Sequence, residues 1–136
     1  MAARPTLRDL ANAAREIGAE TTFEGAARLI EREALRLTGA AEAQCVAFDW
    51  VHRRAWSWRG EITTATVIEL VADVAGRGRR TSIGSALVEP IGPAPSGAVI
   101  ALRRRSGTFS PTDLGALAGL VAGITQTVER LLSARP

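Results

Sequence analysis

The sequence predicts an α+β domain built around a central antiparallel sheet of about five to six strands. Apolar residues recur at helical spacing at both ends of the 136-residue chain, in 1–38 and 111–133. Short runs rich in valine, phenylalanine and tryptophan lie between them, in 43–105. Helices and strands do not alternate regularly, so a doubly wound parallel sheet is not favoured. We therefore expect one domain over residues 1–136, with the terminal helices packed on one face of the sheet.

Two helices are predicted before the first strand. Each begins with a threonine followed three residues later by an acid, which is the spacing of a capping box. The first helix is expected to begin near Pro5 and to end at Gly18. The second is expected to run from the second capping box through Leu37, and Thr38-Gly39 is expected to end it. The two capping pairs are Thr6 with Asp9 and Thr21 with Glu24.

The centre of the chain predicts a sheet with one inserted helix. A polar break at Val51-His52-Arg53 separates the first two strand-like runs, which is typical of a hairpin. Helical spacing returns near 63–75, and Gly76-Arg77-Gly78 is expected to end that helix. A turn-forming segment, GPAPSG, separates the last two runs. The four clearest strand predictions are 43–50, 54–58, 86–91 and 97–104.

The last predicted helix carries a strong start signal and a stripe of glycines. Ser110 suits the N-cap position and Pro111 suits the first helical position. Gly115, Gly119 and Gly123 recur every fourth residue, and each costs about 0.5–1 kcal/mol relative to alanine. The repeated cost indicates a close approach of this helix to the sheet or to a partner helix, and the sheet is the favoured neighbour.

Several segments match the pattern of one known family. Gly39-Ala40-Ala41-Glu42-Ala43 leads into the first strand, AQCVAFDW, and a proline-ended strand, ALVEPI, precedes a glycine-led strand, GAVIALRR. The start of the last helix carries Phe-Ser, then an acid, then Leu-x-x-Leu. With these features the chain resembles a GAF domain over nearly its whole length. The residues of the last motif are Phe109, Ser110, Asp113, Leu114 and Leu117.

The resemblance implies more than a fold. GAF domains have a central antiparallel sheet with terminal helices on one face, and the other face usually carries a small-molecule pocket. They often form dimers through the terminal helices. Many act in signalling proteins and transcription regulators, so the expected role is regulatory and not enzymatic.

The better-defined ligand-binding subtypes of the family do not match. The sequence has no lysine, which excludes the Asn-Lys-Phe-Asp-Glu signature of cyclic-nucleotide phosphodiesterase domains. Cys45 is the only cysteine, whereas methionine sulfoxide reductases of this fold need several, and it lies in a strand, which does not match bilin attachment. His52 is the only histidine and lies in a predicted turn. No cofactor, metal site or catalytic residue is therefore expected.

Aromatic residues in the first two strands form a candidate ligand pocket. A period of two places Phe48 and Trp50 on one face of their strand, and Trp56 and Trp58 on one face of the next. Such a cluster could hold a planar ligand, with Arg59 meeting a negative charge. Ordinary core is the favoured alternative, because large aromatic side chains dominate protein interiors. The candidate ligand-binding residues are Phe48, Trp50, Trp56, Trp58 and Arg59.

The first and last helices carry a candidate dimer interface. The apolar residues of the last helix follow a 3-4-3-4-3 spacing, which is a heptad pattern over about two and a half repeats. The alternative is that both stripes face the domain's own sheet. A homodimer is the favoured expectation, since further leucines lie beside the stripe. The candidate interface residues are Leu7, Leu10, Ile17, Leu117, Val121, Ile124, Val128 and Leu131.

Composition limits the partners. All 17 basic residues are arginine and tyrosine is absent, so a formal charge of only +3 gives a calculated isoelectric point near 10.8. Arginines crowd the middle of the chain, but no nucleic-acid motif accompanies them, and nucleic acid is not an expected partner. No stretch is long and apolar enough for a membrane span, and a single cysteine suits a reducing compartment, so a cytoplasmic location is expected.

Two functional hypotheses follow. In the first, the domain is a non-enzymatic regulatory module that senses a small ligand, or relays a signal through the packing of its terminal helices. In the second, it is a degenerate GAF fold that acts as a protein-interaction scaffold without a ligand. The short segment between the second strand and the third predicted strand favours the second hypothesis, because fuller GAF domains carry more of the pocket roof there.

Overall fold

The computed structural model describes residues 6–135 and has the expected α+β architecture. In this range four helices surround a six-stranded sheet. The helices are α1 (Leu7–Gly18), α2 (Phe23–Thr38), α3 (Ala65–Arg77) and α4 (Pro111–Ser133). The strands are β1 (Glu42–Asp49), β2 (Arg54–Ser57), β3 (Gly60–Ile62), β4 (Thr81–Ile83), β5 (Ala86–Pro90) and β6 (Ala98–Arg103).

The sheet is antiparallel throughout, in the order β3-β2-β1-β6-β5-β4. The sequence predicts the four longer strands to within one or two residues. The sequence gives no residue bounds for the two edge strands, β3 and β4, because three residues are too few to show an alternating pattern. A fold class of about five to six strands is confirmed.

The sheet separates two cores. The large core fills the space between the sheet and α1, α2 and α4, and Cys45 and Ala47 of β1 point into it. The small core lies between the opposite face of the sheet and α3, and Val46 and Phe48 of β1 point into that one. This alternation follows from the two-residue period of a strand. It confirms that the terminal helices share one face.

The caps of α1 and α4 are confirmed. Thr6 and Asp9 form a capping box, as do Ser110 and Asp113, and Pro111 is the first residue of α4. Pro5, where the first helix was expected to begin, lies outside the described residues.

Two other helix boundaries differ from the prediction. The capping pair Thr21–Glu24 is wrong, because Thr22 caps α2 by accepting a hydrogen bond from the N–H of Gly25. Position 25, three residues after that cap, has no side chain, so no box can form. The predicted stop of α3 at Gly76-Arg77-Gly78 is confirmed, but the helix ends two residues later than expected, because Gly76 remains inside it and Gly78 is the left-handed residue, with φ 66°.

The glycine stripe of α4 packs against α1, and not against the sheet. An added Cβ at Gly119 would lie 2.8 Å from Leu10 Cδ1, and one at Gly123 would lie 3.1 Å from Ala14 Cβ. An added Cβ at Gly18 would lie 3.6 Å from the side-chain oxygen of Thr127. Since the residue numbers of the contacting pairs increase together along both helices, α1 and α4 run parallel. The close backbone approach was expected, but the neighbouring element is the first helix.

None of the helices in residues 6–135 combines the length and the apolar character needed to cross a bilayer.

Candidate functional site

Four of the five candidate pocket residues (Phe48, Trp50, Trp56 and Trp58) line one open groove, although the sheet separates their side chains. In the β1–β2 register, Ala47 lies opposite Trp56 and Phe48 lies opposite Ala55. Residues opposite each other share a face, so Trp56 joins the large core while Phe48 belongs to the small core. Trp58 lies on the face of Trp56, and Trp50 on that of Phe48. Their side chains thus project from both faces of the sheet, and Arg59, the fifth candidate, does not line the groove.

The α3 side of the sheet, where the resemblance implies a ligand pocket, is filled by side chains. Phe48 is 3% exposed and packs with buried residues of α3, among them Val71 and Val74. The Trp50 ring lies edge-on to Phe48 at 4.7 Å between centroids, and its Nε1 donates to the carbonyl oxygen of Ser96. This arrangement supports the interpretation of Phe48 and Trp50 as core.

On the other face, Trp58 belongs to a buried polar cluster that sequence reasoning missed. The carboxylate of Glu31, in α2, accepts hydrogen bonds from Trp58 Nε1 at 2.9 Å, from the backbone N–H of Cys45 at 2.9 Å, and from Arg59 at 3.3 Å. The guanidinium of Arg59 also lies 4.2 Å from the Trp58 ring centroid. Arg59 is thus engaged within the domain.

Trp56 is a second tryptophan with an arginine guanidinium over its ring, and it lies at the wall of the open groove. The groove has a volume of about 650 Å³ and lies between the β1–β2–β3 end of the sheet and the ends of α2 and α4. The guanidinium of Arg135 lies 4.7 Å from the Trp56 ring centroid and forms an ion pair with Glu24. The other lining residues include the candidates Phe48, Trp50 and Trp58, and also Asp49, Arg54, Glu61 and Leu132.

The indole N–H of Trp56 has no partner in the described part of the chain. Its Nε1 atom is buried, yet it donates no hydrogen bond. A buried polar group without a partner carries a desolvation cost of about 1–3 kcal/mol. Such groups are uncommon in folded proteins, and each one calls for a physical explanation.

The predicted dimer interface needs correction. Five of its eight residues are at most 4% exposed within the single chain and pack in the large core, so they cannot contact a partner. The heptad spacing of α4 instead reflects packing within the domain. Leu10 and Val121 are partly buried, and Leu7 is 85% exposed. The five buried residues are Ile17, Leu117, Ile124, Val128 and Leu131.

Five of the nine arginines in residues 53–105 form ion pairs with carboxylates. Arg80 makes a bidentate pair with Glu89, whose side chain is only 10% exposed. Arg103 pairs with Glu42, and the hydrogen bond from Arg103 lowers the pKa of that carboxylate. Arginines 59, 77 and 104 also form ion pairs. This local balance argues against a continuous basic surface.

Reactive side chains do not assemble into a site. Cys45 is fully buried, and burial together with the nearby Glu31 carboxylate raises the pKa of its thiol, so it stays protonated. His52 lies in the β1–β2 turn within 2.8 Å of Asp49, and its hydrogen bonds lower the pKa of that carboxylate. No group of three potential metal ligands occurs in residues 6–135.

Known structures share this fold. No protein-family model matches the sequence, and no curated protein matches it. The GAF domain of a phosphoenolpyruvate-protein phosphotransferase from Acinetobacter is similar, with a TM-score of 0.73 at 13% identity, over 96% of each chain. The corresponding GAF domain from Coxiella burnetii gives 0.72 at 11% identity, over 93% of this chain and 94% of that one. The chain therefore has the GAF fold, as its sequence resemblance implied.

Proposed function

We propose that this GAF-fold domain is a non-enzymatic regulatory module that forms a homodimer through the exposed surface of α1 and α4. The uncharged outer side of α4 carries the proposal. No charged residue occurs from Leu114 to Val128, although Gly115, Ala118 and Ala122 are exposed. A solvent-facing helix side normally carries charges, so a long uncharged side is typical of a surface that another molecule covers.

The surface continues onto α1. Leu7 is 85% exposed and Ala11 is exposed as well, and α1 lies parallel to α4 across the glycine stripe. Two such helix pairs could meet around a twofold axis, which is the commonest symmetry of homodimers. The small side chains at positions 115, 118 and 122 would permit a close approach. This surface replaces the buried stripe that the heptad pattern suggested.

The signal would pass through the contact between α1 and α4. Leu10 packs at Gly119, and the added-Cβ position at Gly115, one turn earlier, has no atom within 4 Å. Because the glycines recur every four residues, a shift of α1 by one turn would place Leu10 opposite Gly115 and Ala14 opposite Gly119. One-turn shifts between packed helices are an established form of conformational switching.

A scaffold without a ligand is the second candidate, and the small core supports it. Val46, Phe48, Val74 and Val99 are each at most 3% exposed between α3 and the sheet. Their side chains pack on the side of the sheet where a GAF domain is expected to bind a small molecule. Regulation by a ligand on that side would require α3 to move away from the sheet.

Sedimentation velocity over a range of protein concentrations tests the proposal. The wild type is expected to be a dimer, and Ala122→Glu should weaken it by at least about tenfold, because two carboxylates would be buried at the interface. Thr66→Glu, on the exposed start of α3, is the matched control and should leave the dimer unchanged.

Two results would contradict the proposal. One is a wild type that sediments as a monomer at every concentration. The other is an Ala122→Glu dimer as stable as that of the control. Circular dichroism of all three proteins verifies that the fold is retained.

A further inference from the structure

We infer that the groove beside Trp56 is a binding site for an arginine side chain of a partner polypeptide, and that Arg135 occupies this site when the partner is absent. The groove is a surface other than the outer side of α1 and α4, so this binding site does not depend on the proposed dimer.

Arg135 shows which chemistry the groove accepts. Its guanidinium lies over the Trp56 ring, 4.7 Å from the centroid, and pairs with the Glu24 carboxylate. An aromatic face together with a carboxylate is the combination that binds a guanidinium best, since the flat cation stacks and also donates hydrogen bonds. The same two groups would bind a guanidinium from another molecule.

The exposure of this contact makes exchange feasible. The side chains of Arg135 and Glu24 are 38% and 44% exposed. At the neighbouring ring, Trp58, the corresponding carboxylate of Glu31 is only 7% exposed. An exposed ion pair contributes little to stability, about 0–1 kcal/mol, so releasing Arg135 costs the fold little. The Trp58 cluster is therefore structural, whereas the Trp56 site can change its occupant.

The charge of the groove favours a cation. Once Arg135 leaves, three carboxylates (Glu24, Asp49 and Glu61) line the groove against one guanidinium, Arg54. Glu61 lies directly opposite Trp56 in the β2–β3 register, so its side chain shares the face of the ring. The hydrogen bonds from His52 lower the pKa of Asp49, which keeps that carboxylate ionised.

The unpartnered N–H of Trp56 favours a peptide over a free guanidinium ion. Its Nε1 is buried and lacks an acceptor within residues 6–135. An arginine residue in a polypeptide brings carbonyl oxygens close to its side chain, and one of these could accept that hydrogen bond when Arg135 is displaced. The groove volume of about 650 Å³ lies within the range of small-ligand sites.

Titration with N-acetyl-L-arginine amide, followed by the indole N–H signals in ¹⁵N–¹H correlation spectra, tests the inference. Trp56→Phe identifies the signal of Trp56. Arg135→Ala should bind the probe with a dissociation constant about two- to fivefold lower than that of the wild type, because the internal competitor is gone. Arg135→Gln serves as a second variant in case the alanine variant folds poorly. Arg105→Ala, an exposed arginine that does not line the groove, should behave as the wild type does.

Two further comparisons separate a specific site from weak surface binding. N-acetyl-L-citrulline amide has the same shape without the charge, and it should bind Arg135→Ala at least about tenfold more weakly than the arginine probe does. Adding Glu24→Gln to Arg135→Ala should weaken arginine binding by a similar factor. Equal affinities of wild type and Arg135→Ala would overturn the inference. So would an unresponsive Trp56 signal, or equal binding of the citrulline probe.

Discussion

The carboxylate of Glu31 accepts a hydrogen bond from the indole N–H of Trp58, with 2.9 Å between Nε1 and Oε1. This bond joins α2 to the residue that follows β2. The other carboxylate oxygen accepts the backbone N–H of Cys45 at the same distance. Pairing between β1 and β2 extends only to Ala47 and Trp56, and the Cys45 N–H lies beyond that point. The buried acid therefore completes hydrogen bonds that the sheet leaves open.

Replacing this acid should destabilise the domain. Glu31→Gln keeps the shape of the side chain but loses its charge. The amide nitrogen of glutamine would then face groups that also donate hydrogen bonds, so at least one of them would lose its acceptor. We expect the free energy of unfolding to fall by about 2–3 kcal/mol, measured by urea denaturation. Glu16→Gln, which breaks an exposed pair with Arg32, is the control and should cost less than about 1 kcal/mol. Equal effects of the two substitutions would contradict the role assigned to Glu31.

Trp56 and Trp58, the two tryptophans on the large-core face of the sheet, should lose different amounts of stability when replaced by phenylalanine. Trp58→Phe removes the hydrogen bond to Glu31, whereas Trp56→Phe removes a buried donor that has no partner. We expect Trp58→Phe to lower the free energy of unfolding by at least about 1 kcal/mol more than Trp56→Phe does. Thermal denaturation of both variants measures the difference. The reverse order would show that the Trp56 N–H is satisfied in solution.

Substitutions at two glycines of α4 should change the free energy of unfolding in opposite directions. A Cβ at Gly115 would meet no atom of the same chain within 4 Å, so Gly115→Ala should raise the free energy of unfolding of the monomer by about 0.5–1 kcal/mol through helix propensity. At Gly123 the added group would press on Ala14, and Gly123→Leu should destabilise by about 1–3 kcal/mol. Urea denaturation gives both values. A stabilising Gly123→Leu would mean that α1 does not pack closely on α4.

Alkaline pH should reveal the buried thiol of Cys45. In the unfolded chain a thiol ionises near pH 8.5, whereas burial and Glu31 raise its pKa in the folded state. Protons then leave the unfolded state first, so stability is complete below about pH 8.5 and is lost as the pH rises, by up to about 1.4 kcal/mol per pH unit. The sequence has no lysine or tyrosine to obscure the effect.

The control for this effect is Cys45→Ala. The substitution lowers stability at every pH by creating a small cavity, but it should abolish the decline above about pH 8.5. Denaturant titrations across the alkaline range compare the two slopes. If the free energy of unfolding declined equally with pH in the wild type and the variant, the thiol would ionise equally in the folded and unfolded states.

Local signals explain what the sequence could predict. The start of α4 depends on Ser110, Pro111 and Asp113, which all act within one helical turn. The faces of β1 follow from its own alternation, which placed Val46 and Phe48 together correctly. Elements whose evidence lies within a few neighbouring residues can be read without knowledge of the rest of the fold.

Relations between distant elements explain what could not be predicted. The register set at the β1–β2 turn decides whether Trp56 shares a face with Ala47 or with Phe48, and a slip of one residue would reverse the result. The spacing of Leu117 and Ile124 shows an apolar side of α4, but not what covers it. Nothing local marks Glu31 or Arg135 as partners of the tryptophans, because each lies more than 25 positions away along the chain.

The short edge strands described above also limit how this protein can misassemble. Fibril growth requires an exposed strand long enough to template another chain, and six- or seven-residue segments are the typical unit. The edges of this sheet, β3 and β4, have three residues each, and the longer apolar strands β1 and β6 lie between neighbours at its centre. While the sheet stays intact, the folded domain therefore offers little backbone on which an amyloid seed could form.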